Sequence, residues 1–477
     1  MADHPFLDIP HYRESNSPTY QQVVAGDAMP PLSIFLEVAP SDVALGRVAR
    51  AQYVDPEFAA RERTAMWSRV WIMAGRVEQV PEPGDFIVYE GPVASVVVIR
   101  GDDNQLRSFL NSCPHRGMKL CVGEGSVGRI TCPFHSFSWS LDGSIAHIPS
   151  RWDFSELDGQ DISLPQVKLE TWGGFIFVNH DPDCSPLAAY LGRMLTDFEG
   201  WKHEERYAAK LIRKTIHANW KTCIETFIEA FHLSGIHPQA LPFGGDSSAQ
   251  YDVWDDQPHM SRMLQPIAIR SDHFGRALTE QEVLDAAMRT IMGNDAVVPA
   301  LPEGVTARAY LGQMVRQNPA TPPVSDTELL DALQYSIFPN IVLFRSSFYP
   351  YTYRFTPDRN DPGKAVYDFY IFEPLPADGS QPPPTELIEL GDNESYADCG
   401  AFSSWLGQIY DQDSEGLARI QAGLNHGGNA DLFFARYQEV RIRQLHQVLE
   451  RYLAMGPVAA QASVTGSSSM VGGLSGT

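Results

Sequence analysis

Two stretches decide the fold: NSCPHRGMKL at residues 111–120 and ITCPFHSFSWSLDGS at 130–144. The first carries Cys113 and His115, the second Cys132 and His135, with sixteen residues between His115 and Cys132. Two thiolates for one iron and two imidazoles for the other form the donor set of a [2Fe–2S] centre of raised potential. A structural zinc ion takes the same donor types, but a zinc finger pairs its two Cys together and its two His together. Here each loop supplies one of each.

Outward from these loops, residues 76–175 read as short strands broken by turns. DFIVYE (85–90), ASVVVIR (94–100), RSFLNS (107–112) and GGFIFVN (173–179) are separated by PEPGD, RGDDN and LDGS, a small antiparallel β domain. The words around the Cys and His pairs resemble the Rieske domain of ring-hydroxylating oxygenases. Rieske proteins of respiratory complexes add two further Cys, where this chain has Met118 and Phe134. The disulfide that ties the loops in those proteins is thus not expected, and the resemblance is to the lower-potential oxygenase and ferredoxin group.

A second constellation follows in NWKTCIETFIEAFHLSGIHP, residues 219–238. Trp220, Ile224, Phe227, Ile228 and Phe231 form an apolar stripe that predicts a buried helix. Glu225, Glu229 and His232 stand at i, i+4 and i+7 on another face, and His237 lies about 140° further round. Both imidazoles reach one metal only if the helix breaks between them, and Gly235 and Pro238 are placed to break it. Two structural histidines are the competing reading. Oxygenases of the same family show Asn-Trp-Lys, Glu, Asp, then His-x₄-His. That resemblance implies a mononuclear Fe(II) held by His232, His237 and a distant Asp, the two-His, one-carboxylate set that leaves sites for O₂.

The acid before the first His is Glu229 where the family most often has Asp, which resembles the branch of carnitine and other quaternary-amine oxygenases. The resemblance gives Glu229 a catalytic bridging role between a cluster His of a neighbouring subunit and a His on the iron. A plain ion pair is the alternative. The third iron ligand is sought in IYDQDSEGLARIQAGL (409–424). Aligning on Gln421-Ala422-Gly423-Leu424 implies Asp413, with Asp411 and Glu415 as competitors.

The chain has 477 residues, 43% hydrophobic and 20% charged, which suits a globular protein of two or three domains. A formal charge of −23 excludes a phosphate-neutralising surface and argues against nucleic acid. Six Cys in so long a chain are no disulfide framework. Cys121, Cys184, Cys223 and Cys399 read as small core residues. The most apolar run, VASVVVI at 93–99, is strand length, so no membrane helix is expected. No secretory signal is visible at the N-terminus, and a cytoplasmic location is expected.

The remaining organisation is coarse. Residues 1–50 read as an arm with a short helix, and 55–71 as a helix. The segment 205–240 switches to a helical period. Thr279/Glu282 and Ser325/Glu328 are capping boxes. Aromatic strands occupy 335–375, helices 402–422 and 431–454, and a disordered tail 456–477. The expected fold class is α+β: an antiparallel-β Rieske domain (51–175) and a catalytic domain (176–455) whose curved antiparallel sheet wraps a long helix. Residues 240–330 are expected to lid the pocket. The resemblance implies a terminal oxygenase acting with O₂ and NAD(P)H electrons from a reductase or ferredoxin. Its subunits form a homotrimer, with or without β subunits. The leading substrate is an aromatic or other hydrophobe to be hydroxylated, within a pocket lined by Phe227, Phe231, Leu233, Phe243, Phe338 and Phe344. The second is a tertiary or quaternary amine, oxidised or demethylated inside a Tyr/Trp cage. An electron carrier with a vestigial iron site is the alternative class.

Overall fold

The computed structural model describes residues 16–458 apart from 40–41, 294, 319–320, 322 and 429. The first fifteen residues of the expected arm and residues 459–477 of the expected tail lie outside the described residues.

The first sheet is built from β1 (Ile72–Arg76), β2 (Asp85–Glu90), β3 (Ser95–Arg100), β4 (Leu106–Leu110), β5 (Glu124–Ser126), β9 (Gln166–Trp172) and β10 (Phe175–Asn179). Its order is β1-β10-β9-β4-β3-β2-β5, antiparallel throughout. The β-branched run of β3 is buried at four consecutive positions, Val96 to Ile99, as suits a central strand covered on both faces. A three-stranded sheet of β6 (Ile130–Thr131), β7 (Ser138–Trp139) and β8 (Ile145–His147) carries the second Cys/His loop. The LDGS turn closes on the Asp142 carboxylate, which accepts from the Ser144 amide at 2.9 Å. Gly143 sits there at φ +86°, and a Cβ would meet the Phe109 ring at 2.4 Å; only glycine fits.

The second sheet comprises β11 (Arg206–Ile216), β12 (Gln250–Val253), β13 (Met260–Gln265), β14 (Ala332–Ile337), β15 (Ile341–Phe344), β16 (Tyr351–Pro357), β17 (Ala365–Pro374) and β18 (Glu386–Leu390). The order is β12-β13-β14-β15-β16-β17-β11-β18. Every pair is antiparallel except β11–β18, which is parallel. Beside this sheet lie the short helix Trp220–Phe227 and the 23-residue helix Ser404–His426. One core joins both sheets: Val96, Val98 and Phe177 of the first belong to the same buried cluster as Ile212, Phe355 and Phe369 of the second.

Several sequence expectations need correction. Residues 206–216 are a strand, not part of a helix. Ala, Lys and Arg favour helix there, but β17 and β18 flank the segment on both sides, and ladder pairing overrides propensity. The helix expected over 55–71 ends at Trp67, its final six residues widening into a π turn. The last helix begins at Val440, not 431. Residues 240–330 do more than cover a pocket: they supply β12 and β13 to the sheet, and helices Glu280–Met292 and Ala307–Arg316 build a separate core around Leu284 and Leu311. The described part of the arm forms the expected short helix, Tyr20–Val24, and docks on the second sheet, with the Tyr20 hydroxyl donating to Asp331 at 2.9 Å.

Candidate metal centres and active site

The two Cys/His loops have one backbone design. In the first, the Cys113 amide donates to Met118 O and the Gly117 amide to Cys113 O, both at 2.8 Å. In the second, Cys132 N donates to Phe137 O at 2.8 Å and Ser136 N to Cys132 O at 3.0 Å. The fifth residue of each loop is left-handed, Gly117 at φ +75° and Ser136 at φ +60°. Both thiols are buried. The His115 and His135 rings stand 4.7 Å apart, His115 stacked on Phe137. His115 Nδ1 is buried with no hydrogen-bond partner among the described residues. A buried ring nitrogen without a partner, beside a second imidazole and two thiols, fits a [2Fe–2S] group. Met118 and Phe134 are 40% and 56% exposed, so nothing ties the loops covalently at those positions.

The second constellation begins with an anchor. Asn219 caps the helix Trp220–Phe227 through Lys221 N, and its side-chain amide donates to Tyr53 O and Pro362 O. Its own N–H donates to Gln421 Oε1 at 2.9 Å. Lys221, fully buried, donates to Glu62 at 2.6 Å, and the Trp220 indole donates to the same carboxylate. Asn-Trp-Lys is therefore a clamp between three distant segments.

The helix stops at Phe227, where the Ile228 carbonyl, left without an intrahelical partner, accepts from Arg441 at 3.0 Å. The break thus comes before His232, not at Gly235. His232 and His237 flank a single turn, Leu233–Ile236. The expected shared face of Glu225, Glu229 and His232 does not exist. Glu225 accepts from the Tyr53 hydroxyl and pairs with His446, both at 2.8 Å, while Glu229 lies beyond the helix end.

From the opposite side, the helix Ser404–His426 presents Asp413, only 4% exposed. One ligand atom each from His232, His237 and Asp413 falls within 4.8 Å of the others. His237 Nε2 is 2.8 Å and His232 Nε2 3.8 Å from Asp413 Oδ1. Both Nδ1 atoms face away, His232 to Glu229 Oε1 at 2.7 Å and His237 to Gln412 Oε1 at 2.8 Å. An Nδ1–H donated to each oxygen leaves both Nε2 lone pairs turned toward the Asp413 carboxylate, where positive charge has to sit. Burial disfavours the His232 imidazolium, but the Glu229 and Asp413 carboxylates overcome it and push the pKa up to about 9. The donor set therefore fits a divalent iron. Asp411 instead accepts from Ser395 Oγ at 2.5 Å and Tyr396 N at 2.8 Å. Glu415 pairs with Arg419 on the exposed face.

A cavity of about 150 Å³ opens beside these residues. Of the six expected lining residues, Phe227, Leu233, Phe243 and Phe344 line it. Phe231 is 38% exposed, and Phe338 packs instead on Tyr452. The sequence reading missed Trp405, Tyr349, Tyr353 and Tyr410 on the wall, together with Gln265 and Gln334. The aromatic alternation of 347–355 was the available signal for the tyrosines; the glutamines carried none. Gln412, next to Asp413, was missed as well, although it orients His237.

Among the described residues, no helix is long and apolar enough to cross a membrane.

Residues 198–455 match the family described as the ring hydroxylating alpha subunit (catalytic domain), and residues 70–166 match the Rieske [2Fe–2S] domain. The chain is 31% identical over 217 residues to the carnitine monooxygenase oxygenase subunit of Escherichia coli K12, covering 45% of this chain and 56% of that protein. It is 30% identical over 220 residues to the biphenyl 2,3-dioxygenase alpha subunit of Rhodococcus jostii RHA1, covering 43% and 48%. It thus spans about half the length of the curated relatives it matches. A crystal structure of a quaternary ammonium Rieske monooxygenase with L-carnitine superposes with a TM-score of 0.60 at 17% identity, covering 87% of this chain and 97% of that one; that likeness speaks for the fold. With its catalytic match running over more than half of its length, the chain belongs to the Rieske ring-hydroxylating oxygenase alpha subunit family.

Proposed function

We propose that the chain is the terminal oxygenase of a Rieske non-haem iron system, inserting oxygen from O₂ into a small hydrophobic substrate. The observation that carries this reading is the trio His232, His237 and Asp413 open to an aromatic-walled cavity. An electron carrier needs no such opening. Cys113, His115, Cys132 and His135 would hold the [2Fe–2S] group, and His232, His237 and Asp413 the iron. When bound, the cluster supplies electrons singly and the iron supplies O₂ activation. The chain's own residues do the rest. Glu229 and Gln412 keep the Nδ1 protons, so that both Nε2 atoms stay available. Phe227, Tyr353 and Trp405 exclude water and hold the substrate. A cavity of about 150 Å³ suits one aromatic ring.

A trimer passing electrons between neighbouring subunits, with a reductase or ferredoxin as donor and a cytoplasmic location, belongs to the same proposal. So does the division into an arm (1–50), a Rieske domain (51–175), a catalytic domain (176–455) and a tail. The second substrate reading, an amine, is favoured by Tyr349, Tyr353, Tyr410 and Trp405 around the cavity and by Glu229. Among the described residues no Lys or Arg lines that cavity, which gives a substrate carboxylate no direct Lys or Arg counter-ion there. Metal analysis tests the proposal first: about three irons per chain and a Rieske-type EPR signal on reduction are expected. O₂ uptake is then measured over single-ring aromatics and over tertiary and quaternary amines. Zinc in place of iron, or no substrate-stimulated uptake, would reject it.

A further inference from the structure

The wall of the cavity formed by β13 and β14 contains a hydrogen-bonding device that the oxygenase reading does not use. Gln334, on β14, is 4% exposed and lines the cavity. Its Oε1 accepts from Arg441 Nη1 at 2.7 Å. That bond fixes which end of the amide points inward: the Nε2 group, which donates to no described residue and is left facing the cavity. Arg441 is itself 1% exposed and donates to Ser261 Oγ and the Ile228 carbonyl, with no carboxylate partner among the described residues. A buried guanidinium with only neutral acceptors draws electron density from each of them, so it polarises the Gln334 amide and makes its N–H a stronger donor. Gln265 belongs to the neighbouring strand, one diagonal step from Gln334, since Met263 is the residue registered opposite Gln334. Gln265 Nε2 donates to Gly244 O at 2.7 Å, leaving its Oε1 on the cavity side.

Beside its tyrosine hydroxyls and the Trp405 indole N–H, the cavity thus holds an oriented amide donor, backed by a buried cation, with an amide acceptor next to it. We propose that the substrate is a small aromatic or amine bearing a neutral polar group with an acceptor oxygen, a carboxamide or hydroxyl, which Gln334 recognises through Nε2. A plain hydrocarbon would leave the buried donor unpaired, and sites built to bond such a group reject analogues that lack it. A carboxylate would accept from Gln334 but oppose Gln265 Oε1. The proposal deepens the oxygenase reading and rests on it for the word substrate, although the binding preference can be measured without turnover.

The test is anaerobic binding to the iron-loaded full chain, followed by ¹⁹F line broadening of three probes: 4-fluorobenzamide, 4-fluorobenzoate and 4-fluorotoluene. The amide is expected to bind about tenfold tighter than the hydrocarbon, with the benzoate weaker than the amide. Gln334→Met, similar in length and free of donors, should remove the preference by weakening the amide alone, leaving the fluorotoluene affinity within about twofold. Arg441→Met should weaken the amide as well, by freeing the Gln334 side chain to rotate. If that variant fails to fold, the Gln334→Met comparison decides alone, with its iron content as the check on folding. Equal affinity for amide and hydrocarbon, no binding of either, a benzoate that binds best, or a preference that survives Gln334→Met would each overturn the inference. O₂ uptake with the same probes separates the two proposals. Preference without uptake defeats the oxygenase reading alone, and uptake without preference defeats this one alone.

Discussion

Replacing Glu229 by Gln isolates one carboxylate oxygen at the iron site. The native carboxylate accepts twice from the same residue, from His232 N at 3.0 Å through Oε2 and from His232 Nδ1 at 2.7 Å through Oε1. A Gln side chain has one acceptor and one donor group. If its oxygen keeps Nδ1, its NH₂ opposes the His232 amide. If it flips, Nδ1 must become the acceptor, and the proton moves to Nε2, which then cannot ligate. Either way one charge-assisted bond, about 1.5–3 kcal/mol, is lost. That corresponds to roughly 10–100-fold in iron affinity, the range typical of groups that orient a metal-bound imidazole. The assay is Fe(II) competition against a ferrous chelator, with cluster absorbance as the internal standard. The midpoint should shift by one to two decades while the cluster spectrum stays intact. At saturating Fe(II) both metals should load, and rapid mixing should show slow reoxidation of the reduced cluster by O₂ and substrate. Glu229→Asp should be milder, keeping the charge but losing reach. An unchanged midpoint together with wild-type reoxidation would refute the assigned role and leave Glu229 a packing residue.

The other outcomes concern separate parts of the chain. Asp413→Ala should empty the iron site and stop turnover without altering the cluster, whereas Asp411→Ala should keep the iron and cost about 1–3 kcal/mol by unpairing Ser395 and Tyr396 N; chemical denaturation beside iron analysis separates the two. Lys221→Met strips a fully buried carboxylate, Glu62, of its cation and should cost about 3–5 kcal/mol, with Glu62→Met in the same chain restoring much of it; a double variant no more stable than the single one would contradict the clamp. His203 is buried without a partner on either ring nitrogen among the described residues, and burial first, then Arg76, Arg206 and Arg345, hold its pKa well below 6.5. The unfolded chain therefore binds a proton below about pH 6.5 that the folded chain refuses, and stability falls as pH drops. His203→Phe should remove that loss, which approaches about 1.4 kcal/mol per pH unit as pH falls below about 6, read as the widening gap between the two denaturation curves; parallel curves would contradict it.

The candidate Cys and His donors stood out in the chain because each pair is close in sequence. Cys113 and His115, Cys132 and His135, and His232 and His237 each sit on one local turn, and a local turn needs only neighbours to define it. Asp413 was implied only by the resemblance to the family's C-terminal helix, through the Gln421-Ala422-Gly423-Leu424 register. Gln421, from which its register was counted, lies eight residues on, about two turns along the same helix, and bonds the Asn219 amide at the start of the site helix. What stayed hidden depended on partners remote in the chain. The strand β11 carries helix-forming residues and is a strand only because β17 and β18 flank it. The helix end at Phe227 frees the Ile228 carbonyl, which is satisfied by Arg441, more than two hundred residues away. Whether a glutamine presents its oxygen or its nitrogen to a cavity is likewise decided by what holds its other end. Sequence alone determined which chemistry the chain can hold, since ligand identity is a property of residue type and near spacing. Tertiary structure alone decided where the helix breaks, which acid faces the imidazoles and what the cavity asks of its ligand. Those depend on hydrogen-bond partners supplied across the fold, and no local pattern encodes them.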